Sequence, residues 1–160
     1  MYAIGCDIGS QSLKGILLAP DGRVVAQASA AYQVDYPHPG WAQQDARLWR
    51  DALAAVVRTC ITRAGIPPRD VATIALASQV DGLVAVDAAG DAVVAVDAAG
   101  TPVPAIIWLD RRATAQAQHL RAALDPTRIR RLTGLNLDAS HVAPKIMWLR
   151  DRHPDTYERA

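Results

Sequence analysis

The residues from Asp7 to Lys14 bring a carboxylate, an amine, a glycine and two hydroxyls together in one short stretch. The apolar run before Asp7 predicts a buried strand, and Gly9-Ser10-Gln11-Ser12 predicts a tight turn into a second strand. Backbone N–H groups and hydroxyls in such a turn could bind a phosphate, and the carboxylate could hold a hydrated cation beside it. A hairpin closed by an Asx-type hydrogen bond is the alternative interpretation.

Two more polar clusters follow predicted strands. The first covers residues 79–82 and comes after Val71–Ala77, whose unbroken apolar character predicts a central buried strand. The second runs from Trp108 to Arg112 at the end of a strand predicted over residues 105–108. Because ligands commonly sit at strand ends in open α/β sheets, three such clusters favour a common site more than any one of them does.

The elements that must position these clusters form a mixed α/β pattern. Asp45 is the predicted cap of the longest helix, which Gly65 and the following prolines end, and Pro37–Trp41 is predicted to be a rigid loop. On the last helix the core candidates are Ile146, Met147 and Leu149. The predicted elements are strands at 2–8, 13–18 and 24–30, a helix at 46–64, strands at 71–77 and 105–108, and helices at 113–124, 126–132 and 142–152.

A seven-residue repeat lies between the second and third polar clusters. Residues 84–90 recur unchanged as residues 94–100, and each copy predicts a strand ending in an Asp-Ala-Ala-Gly turn. Either copy could pair in the place of the other, so the register stays open. We assign the repeat no ligand.

Composition limits the function classes. With 160 residues, of which 51% are hydrophobic, the chain can bury one core, either as one domain or as one lobe of something larger. A net charge of +1 with mixed signs gives no nucleic-acid footprint. Cys6 and Cys60 lie in apolar patterns that predict buried, reduced thiols, and no apolar run approaches the roughly 20 residues of a membrane span. These features predict a soluble cytoplasmic protein without a nucleic-acid or membrane partner.

Several reaction classes lack their residues. The sequence contains no Gly-x-Ser-x-Gly elbow, no Walker lysine motif and no His-Glu-x-x-His motif. Serine-hydrolase, P-loop and zinc-protease interpretations are therefore not supported.

Five segments in order resemble the N-terminal half of the FGGY carbohydrate kinases, with xylulokinases the most similar. The segments are Asp7–Lys14, Pro37–Asp45, Trp108–Arg112, Leu132–Gly134 and Ala143–Leu149. The resemblance implies an actin-like, ribonuclease-H-like domain, with a mixed sheet flanked by helices. In that family this domain is one of two that close on ATP, Mg²⁺ and a sugar.

By the same resemblance the first hairpin is the phosphate loop. Asp7 would help place Mg²⁺ through water, and Lys14 would face either the phosphates or solvent. Phosphoryl transfer needs positioning and charge neutralisation more than covalent chemistry, so a carboxylate, a turn and a cation suffice. The residues expected to face the ATP phosphates are Gly9, Ser10, Gln11 and Ser12.

The sugar-facing positions depart from the family. Xylulokinases usually have Met-His-Gly where this sequence has Val80, Asp81 and Gly82, and the histidine there contacts the sugar. Asp81 could accept two sugar hydroxyls, or it could merely begin a turn with Gly82. Gln79 could bind a hydroxyl or satisfy a strand terminus.

Five more residues complete the expected sugar pocket. Trp108 would form an apolar wall against the sugar or pack in the core, and Asp110 and Arg111 would contact hydroxyls or scaffold the loop. Ser140 and His141 occupy positions that line the pocket in relatives, although a surface loop is an equal alternative.

The catalytic aspartate and the adenine-binding domain of the family lie beyond the matched region. We therefore expect residues 1–160 to be the N-terminal domain of a longer kinase and to be inactive alone, with no catalytic residue of their own. We expect the parent enzyme to phosphorylate a ketopentose such as xylulose or a related polyol, and a homodimer is an assembly open to it. The alternatives are a non-catalytic sugar or nucleotide sensor with the same fold, and a structural or degenerate fragment.

Overall fold

The computed structural model describes residues 1–90, 95–96 and 102–160. None of the helices that it describes has both the length and the apolarity of a bilayer span. The chain divides into two compact units, Met1–Val34 with Asp45–Gln79 and Asp35–Gln44 with Val80–Ala160. The strands are β1 (Tyr2–Ile8), β2 (Ser12–Leu18), β3 (Val24–Ala31), β4 (Gln43–Gln44), β5 (Val71–Ser78), β6 (Ala95–Val96), β7 (Pro102–Val103) and β8 (Ala105–Ile106). The helices are α1 (Ala46–Ala64), α2 (Thr114–Ala123), α3 (Pro126–Thr133), α4 (Val142–Arg152) and α5 (Pro154–Arg159), with a 3-10 turn at Pro68–Asp70.

A four-stranded sheet in the order β3-β2-β1-β5 forms the first unit. The three strands predicted at the start of the chain are confirmed as β1, β2 and β3, which pair as an antiparallel meander, and β5 lies parallel to β1 after the α1 crossover. Alternate residues of β2, Leu13, Gly15 and Leu17, are buried, as one covered face requires. The core of this unit includes Ile4 and Cys60 as well.

Helix α1 has the boundaries that the sequence predicts. The Asp45 side chain accepts a hydrogen bond from the Arg47 N–H at 2.9 Å, which satisfies one of the unpaired donors at the helix start. Gly65 ends the helix in the left-handed conformation (φ 65°), where its N–H donates to the Thr62 carbonyl. Both determinants are local, so the sequence pattern contains them.

Close contact between α1 and the sheet depends on Gly15, which has no side chain. A Cβ atom on Gly15 would lie 2.5 Å from Val56 Cγ1 and 3.3 Å from Cys6 Sγ. The glycine therefore allows the helix to approach β2 more closely than any other residue would.

Residues 71–77 form the predicted strand, but the prediction that this strand is central and buried is wrong. Strand β5 is at the edge of the sheet, and Ile74 and Leu76 are 47% and 56% exposed. Both pair with residues on the core face of β1, but α1 packs chiefly over β2 and β3 and leaves the β5 end of that face uncovered. An apolar run specifies a strand without specifying what covers it.

Short strands and helices build the second unit. Strand β4 pairs antiparallel with β8, and Leu83 forms an antiparallel bridge with Ile106. The sequence predicted no strand at β4 and placed the end of β8 at Trp108, but the strand ends at Ile106 and Trp108 lies in a turn. Helices α2, α3 and α4 confirm the three predicted helices, and α5 was not predicted.

The first copy of the repeat forms its predicted turn but no extended strand. Gly90 has φ 83° and its N–H donates to the Asp87 carbonyl at 2.9 Å. Within the second copy, residues 95–96 form β6, which pairs with β7. The rest of that copy lies outside the described residues.

The predicted core face of α4 is confirmed at Leu149 and wrong at Ile146, while Met147 is half-buried. Ile146 is 39% exposed, whereas Lys145 and Trp148 are buried together with Leu149. These buried positions follow the three- and four-residue spacing of one helical face. The sequence prediction selected apolar residue types and so excluded the lysine that lies on this face.

Two leucines of the sheet provide a stability test. We expect Leu17→Ala to cost about 2–5 kcal/mol of unfolding free energy, because Leu17 is fully buried. Leu76→Ala is expected to stay within about 0.5 kcal/mol, because that side chain is exposed. Urea unfolding of both variants measures the difference, and equal losses would show that β5 is covered in solution.

Candidate functional site

The turn between β1 and β2 is held in place by Tyr32 at the end of β3. The Gly9 N–H donates to the Ser12 carbonyl at 3.0 Å, which closes the turn. The Tyr32 hydroxyl donates to the Gly9 carbonyl at 2.6 Å, and the Tyr32 N–H donates to the Gln11 carbonyl at 3.0 Å. Three carbonyl oxygens of the turn, those of residues 9, 11 and 12, therefore have partners within the protein, which fixes the direction of their peptide units.

Tyr32 keeps its proton at neutral pH. Burial raises the pKa of the phenol above its usual value, and the negative charge of Asp7 raises it further. Tyr32 is therefore a neutral donor to Gly9. Sequence reasoning missed it, because no local pattern relates the end of β3 to this turn.

Asp7 and Lys14 lie opposite each other on β1 and β2. They are direct cross-strand partners, and both are exposed. Directly opposite residues point to the same face of a sheet, so the carboxylate and the amine share the face opposite the buried Cys6 and Leu13. Both groups retain their contact with water.

Two of the three predicted polar clusters meet in this unit. The Gln79 N–H donates to the Ile8 carbonyl at 2.9 Å, and the Ser10 hydroxyl donates to Gln79 Oε1 at 3.4 Å. The meeting follows from topology, because parallel β1 and β5 end at the same edge of the sheet. Gln79 thus contacts the candidate phosphate turn, and it also satisfies a strand terminus.

In the second unit, Asp81 is held by two residues from the start of α4. Asp81 Oδ2 lies 3.2 Å from His141 Nδ1, with both side chains partly exposed. The Asp81 carbonyl accepts a hydrogen bond from Lys145 Nζ at 2.6 Å. Asp81 has φ 54°, a left-handed conformation that is uncommon outside glycine. Its backbone therefore fits the alternative in which Asp81 begins a turn with Gly82. Its side chain nevertheless meets His141, another predicted sugar-facing residue.

Lys145 is fully buried, and its amine bonds to main chain from two loops. In addition to Asp81, Nζ donates to the Ile107 carbonyl at 2.8 Å. Burial lowers the pKa of Lys145 to about 8, although the nearby charges of Asp110 and Asp81 act in the opposite direction. The sequence analysis did not select Lys145; the available signal was a lysine at helical spacing from Trp148 and Leu149.

Asp110 and Arg112 form a buried ion pair under the Trp108 turn. Their side chains are 0% exposed, and Arg112 Nη2 lies 2.8 Å from Asp110 Oδ2. The same oxygen accepts a hydrogen bond from the Ala42 N–H at 2.6 Å, and the Arg112 guanidinium stacks 3.9 Å above the centre of Trp41. For Asp110 the geometry therefore favours scaffolding over a sugar contact.

Asp138 organises the loop before α4 together with Arg111 and Ser140. The Ser140 N–H and hydroxyl both donate to Asp138 Oδ1, at 3.0 and 2.7 Å, and Arg111 forms an ion pair with the same oxygen. These bonds, from Ser140 first and then Arg111, hold the pKa of Asp138 well below its usual value. Arg111 and Ser140 consequently have loop-stabilising contacts.

The exposed members of the sugar-facing set are Trp108 and Val80. Trp108 is 43% exposed, which argues against the core-packing alternative, and Val80 is 71% exposed. Gly82 follows Asp81 close to β8, where an added Cβ would lie 3.8 Å from the Ile106 carbonyl. The predicted residues thus form two groups, one in each unit: Asp7, Gly9, Ser10, Gln11, Ser12, Lys14 and Gln79, and Val80, Asp81, Gly82, Trp108, Asp110, Arg111, Ser140 and His141.

Comparison with known proteins identifies the family of this chain. Residues 2–160 match the N-terminal domain of the FGGY family of carbohydrate kinases. The chain belongs to this family. The resemblance seen in the five sequence segments is therefore confirmed, and so is the expected actin-like α/β fold, because sugar kinases of that fold superpose on the structure.

The relatives of this chain include kinases that are named for different substrates. A glycerol kinase from Aromatoleum aromaticum is 31% identical over 159 residues, and a xylulose kinase from Staphylococcus xylosus is 27% identical over 158 residues. Each match covers 99% of this chain and 30% of the relative. The crystal structure of a xylulose kinase from Rhodospirillum rubrum has a TM-score of 0.85 and 28% identity, covering 99% of this chain and 31% of that chain. This chain spans about 30% of the length of the curated relatives that it matches.

The buried ion pair gives a stability prediction with an internal control. Asp110→Asn leaves the Arg112 charge buried without its counter-ion, which is expected to cost about 3–5 kcal/mol. The exposed pair of Asp21 and Arg23, joined at 2.7 Å, is the control, and Asp21→Asn should change stability far less. Urea unfolding of both variants measures the difference. Equal losses of stability in the two variants would contradict the exclusion of water from the Asp110 side chain.

The lowered pKa of Lys145 predicts a specific pH dependence. Between about 8, its pKa in the fold, and 10.5, the ordinary value, the unfolded chain binds more protons, so this residue makes stability rise with pH. Its contribution over the whole window is at most about 3 kcal/mol. Cys6, Cys60 and Tyr32 have raised pKa values and act in the opposite direction above pH 9, so the wild type must be compared with Lys145→Met. We expect the stability difference between the two proteins to change in favour of wild type from pH 7 to pH 9.5, and an unchanged difference would refute the lowered pKa.

Proposed function

We propose that this chain provides the N-terminal domain of an ATP-dependent kinase that phosphorylates a ketopentose such as xylulose, or a related polyol. The observation that supports this most directly is the turn of residues 9–12, which Tyr32 anchors beside the exposed Asp7 and Lys14, in a chain that matches the FGGY domain over residues 2–160. A turn anchored through its carbonyls can present hydroxyls and N–H groups to an anion.

The residues around the turn fit Mg²⁺ and the phosphates of ATP. Mg²⁺ in kinases keeps most of its waters and uses one or two carboxylates together with the phosphates, and Asp7 is one exposed carboxylate beside hydroxyls. When bound, the ion would neutralise phosphate charge. In this proposal Asp7 orients the hydrated ion, and Ser12 donates a hydroxyl hydrogen bond to a phosphate oxygen. Ser10 does the same after its hydroxyl turns from Gln79 to the phosphate, and Lys14 adds a positive charge on the same face as Asp7.

The second group of residues suits a polyhydroxy substrate. Nδ1 of His141 faces Asp81, so Nε2 is the ring nitrogen that would meet a substrate hydroxyl, while the second Asp81 oxygen would accept a hydrogen bond. The exposed Trp108 ring would cover the apolar face of the carbon chain. The relatives named as glycerol and xylulose kinases have substrates with adjacent hydroxyls, which is the pattern that this pair would bind.

The general base is proposed to come from a residue outside this chain. A base must reach the attacking hydroxyl by a hydrogen bond, and Asp110 is fully buried and bonded to Arg112 and Ala42. Asp81 is assigned to binding and Asp7 to the ion. Residues 1–160 alone should therefore bind without transferring phosphate.

An ADP-release assay over pentuloses, tritols and tetritols tests the proposal, with the longest natural chain that contains these residues and with residues 1–160 alone. We expect turnover of at least one substrate by the former and none by the latter. Absence of turnover with every substrate sinks the kinase proposal, and sugar binding without ATP consumption then identifies a sensor. Turnover by residues 1–160 would contradict the external base.

Asp7 provides a sharper prediction. Asp7→Asn removes the charge that orients the hydrated ion, so kcat/KM is expected to fall about 10- to 100-fold and to recover partly at high Mg²⁺. Asp51→Asn is the matched control, because Asp51 is an exposed carboxylate on α1. Steady-state assays across Mg²⁺ concentrations measure both variants, and equal behaviour of the two would remove Asp7 from the site.

A further inference from the structure

We propose that Lys145 is a positioning residue, which sets Asp81 and Trp108 relative to each other through hydrogen bonds to the Asp81 and Ile107 carbonyls. This inference rests on the proposed function, because it treats Asp81 and Trp108 as substrate contacts. The lysine itself is fully buried and does not contact the substrate.

The two carbonyls belong to the residues that need positioning. One is the main-chain oxygen of Asp81 itself, 2.6 Å from Nζ. The other, 2.8 Å from Nζ, is that of Ile107, whose carbonyl carbon forms the peptide bond to Trp108. A peptide unit is planar, so the orientation of the Ile107 carbonyl also fixes the direction in which the Trp108 backbone begins. A single amine thus controls both loops.

Asp81 needs such support because of its backbone. Its φ of 54° is unfavourable for a residue with a side chain, and such conformations persist where surrounding contacts hold them. His141 and Lys145 lie four positions apart at the start of α4, on one helical face. His141 contacts the Asp81 carboxylate and Lys145 contacts the Asp81 carbonyl, so the residue is held at both ends by the same element.

A main-chain bridge joins the same two loops a short distance away. The Leu83 N–H donates to the Ile106 carbonyl at 2.8 Å, and the Ile106 N–H donates to the Leu83 carbonyl at 3.0 Å. This bridge fixes the spacing at the base of the loops, and Lys145 extends the connection to residues 81 and 107. The predicted substrate contacts lie at or directly beyond these positions.

Lysine has the chemistry that this position requires. A neutral amine still has two N–H donors for two carbonyl acceptors, so the arrangement persists when the proton is lost, and burial does lower the pKa to about 8. Four charged groups act on the amine: Asp110 and Asp81 favour its charged form, and Arg112 and Arg111 oppose it. Arginine would not substitute, because its planar fork places donors differently.

Kinetics of Lys145→Met in the longest natural chain test the proposal. Methionine has a similar length and no donor. The control is Leu149→Ala, which damages the buried face of the same helix without touching either carbonyl. We expect Lys145→Met to raise the sugar KM about tenfold, as loss of such hydrogen bonds would, with the ATP KM nearly unchanged. Leu149→Ala should lower stability without raising the sugar KM relative to the ATP KM. The same change in the two KM values in both variants would overturn the proposal.

A double-mutant cycle separates positioning from general support of the fold. Glycine adopts a positive φ without strain, so Asp81→Gly removes both the carboxylate and the need to hold the backbone. Lys145→Met should then raise the sugar KM much less in the Asp81→Gly background than in wild type. An equal effect in the two backgrounds would contradict the proposed role.

Amide hydrogen exchange decides the positioning role even if no substrate is turned over. We expect the Leu83 and Ile106 amides to exchange about tenfold faster in Lys145→Met, and those of α4 to be most affected in Leu149→Ala. Unchanged protection at Leu83 and Ile106 in Lys145→Met would overturn the role of the lysine. Absence of turnover by wild type would instead refute the kinase proposal alone.

Discussion

In the second unit, the arrangement of the loops depends on the requirement that every buried charge has a partner. Lys145, Asp110 and Arg112 are buried, and an unpaired charge in such surroundings would be costly. Their partners include main-chain groups of residues 42, 81 and 107, each of which lies in a different segment. If any of these segments moved, a buried ion or amine would lose its partner. The loops that carry Asp81 and Trp108 therefore have one low-energy arrangement, although they contain little regular structure.

The first unit uses the opposite arrangement. Its core is apolar, and the candidate phosphate turn is anchored by Tyr32, a neutral donor, while Asp7 and Lys14 remain exposed. Exposed charges stay hydrated and pay no burial cost, which suits groups that must exchange water for a phosphate and its cation. The first unit thus combines a neutral anchor with exposed charges, whereas the second combines buried charges with contacts between loops.

Sequence reasoning succeeded where the determinants were local. Asp45 and Gly65 bracket α1 because a cap and a left-handed terminus need only neighbouring residues. The exposure of Leu76 was not predictable, because it depends on how far α1 extends across the sheet. The contacts of Lys145 were not predictable for a similar reason: its partners are 38 and 64 positions away in the sequence, so helical spacing could place the lysine on the buried face but could not indicate which carbonyls it bonds.

The Asp81–His141 pair determines which hydrogen-bonding groups this part of the second unit can offer to a substrate. The resemblance to xylulokinases implies a histidine at position 81, with a donor and an acceptor on one side chain, whereas here the Asp81 carboxylate meets the imidazole of His141 at 3.2 Å. A carboxylate only accepts hydrogen bonds, so the proton of a singly protonated His141 ring lies on Nδ1, and Nε2 and the second Asp81 oxygen are both acceptors. A carboxylate also favours hydroxyl donors over acceptors, so the pair should prefer a substrate with adjacent hydroxyls at this point over one with a carbonyl.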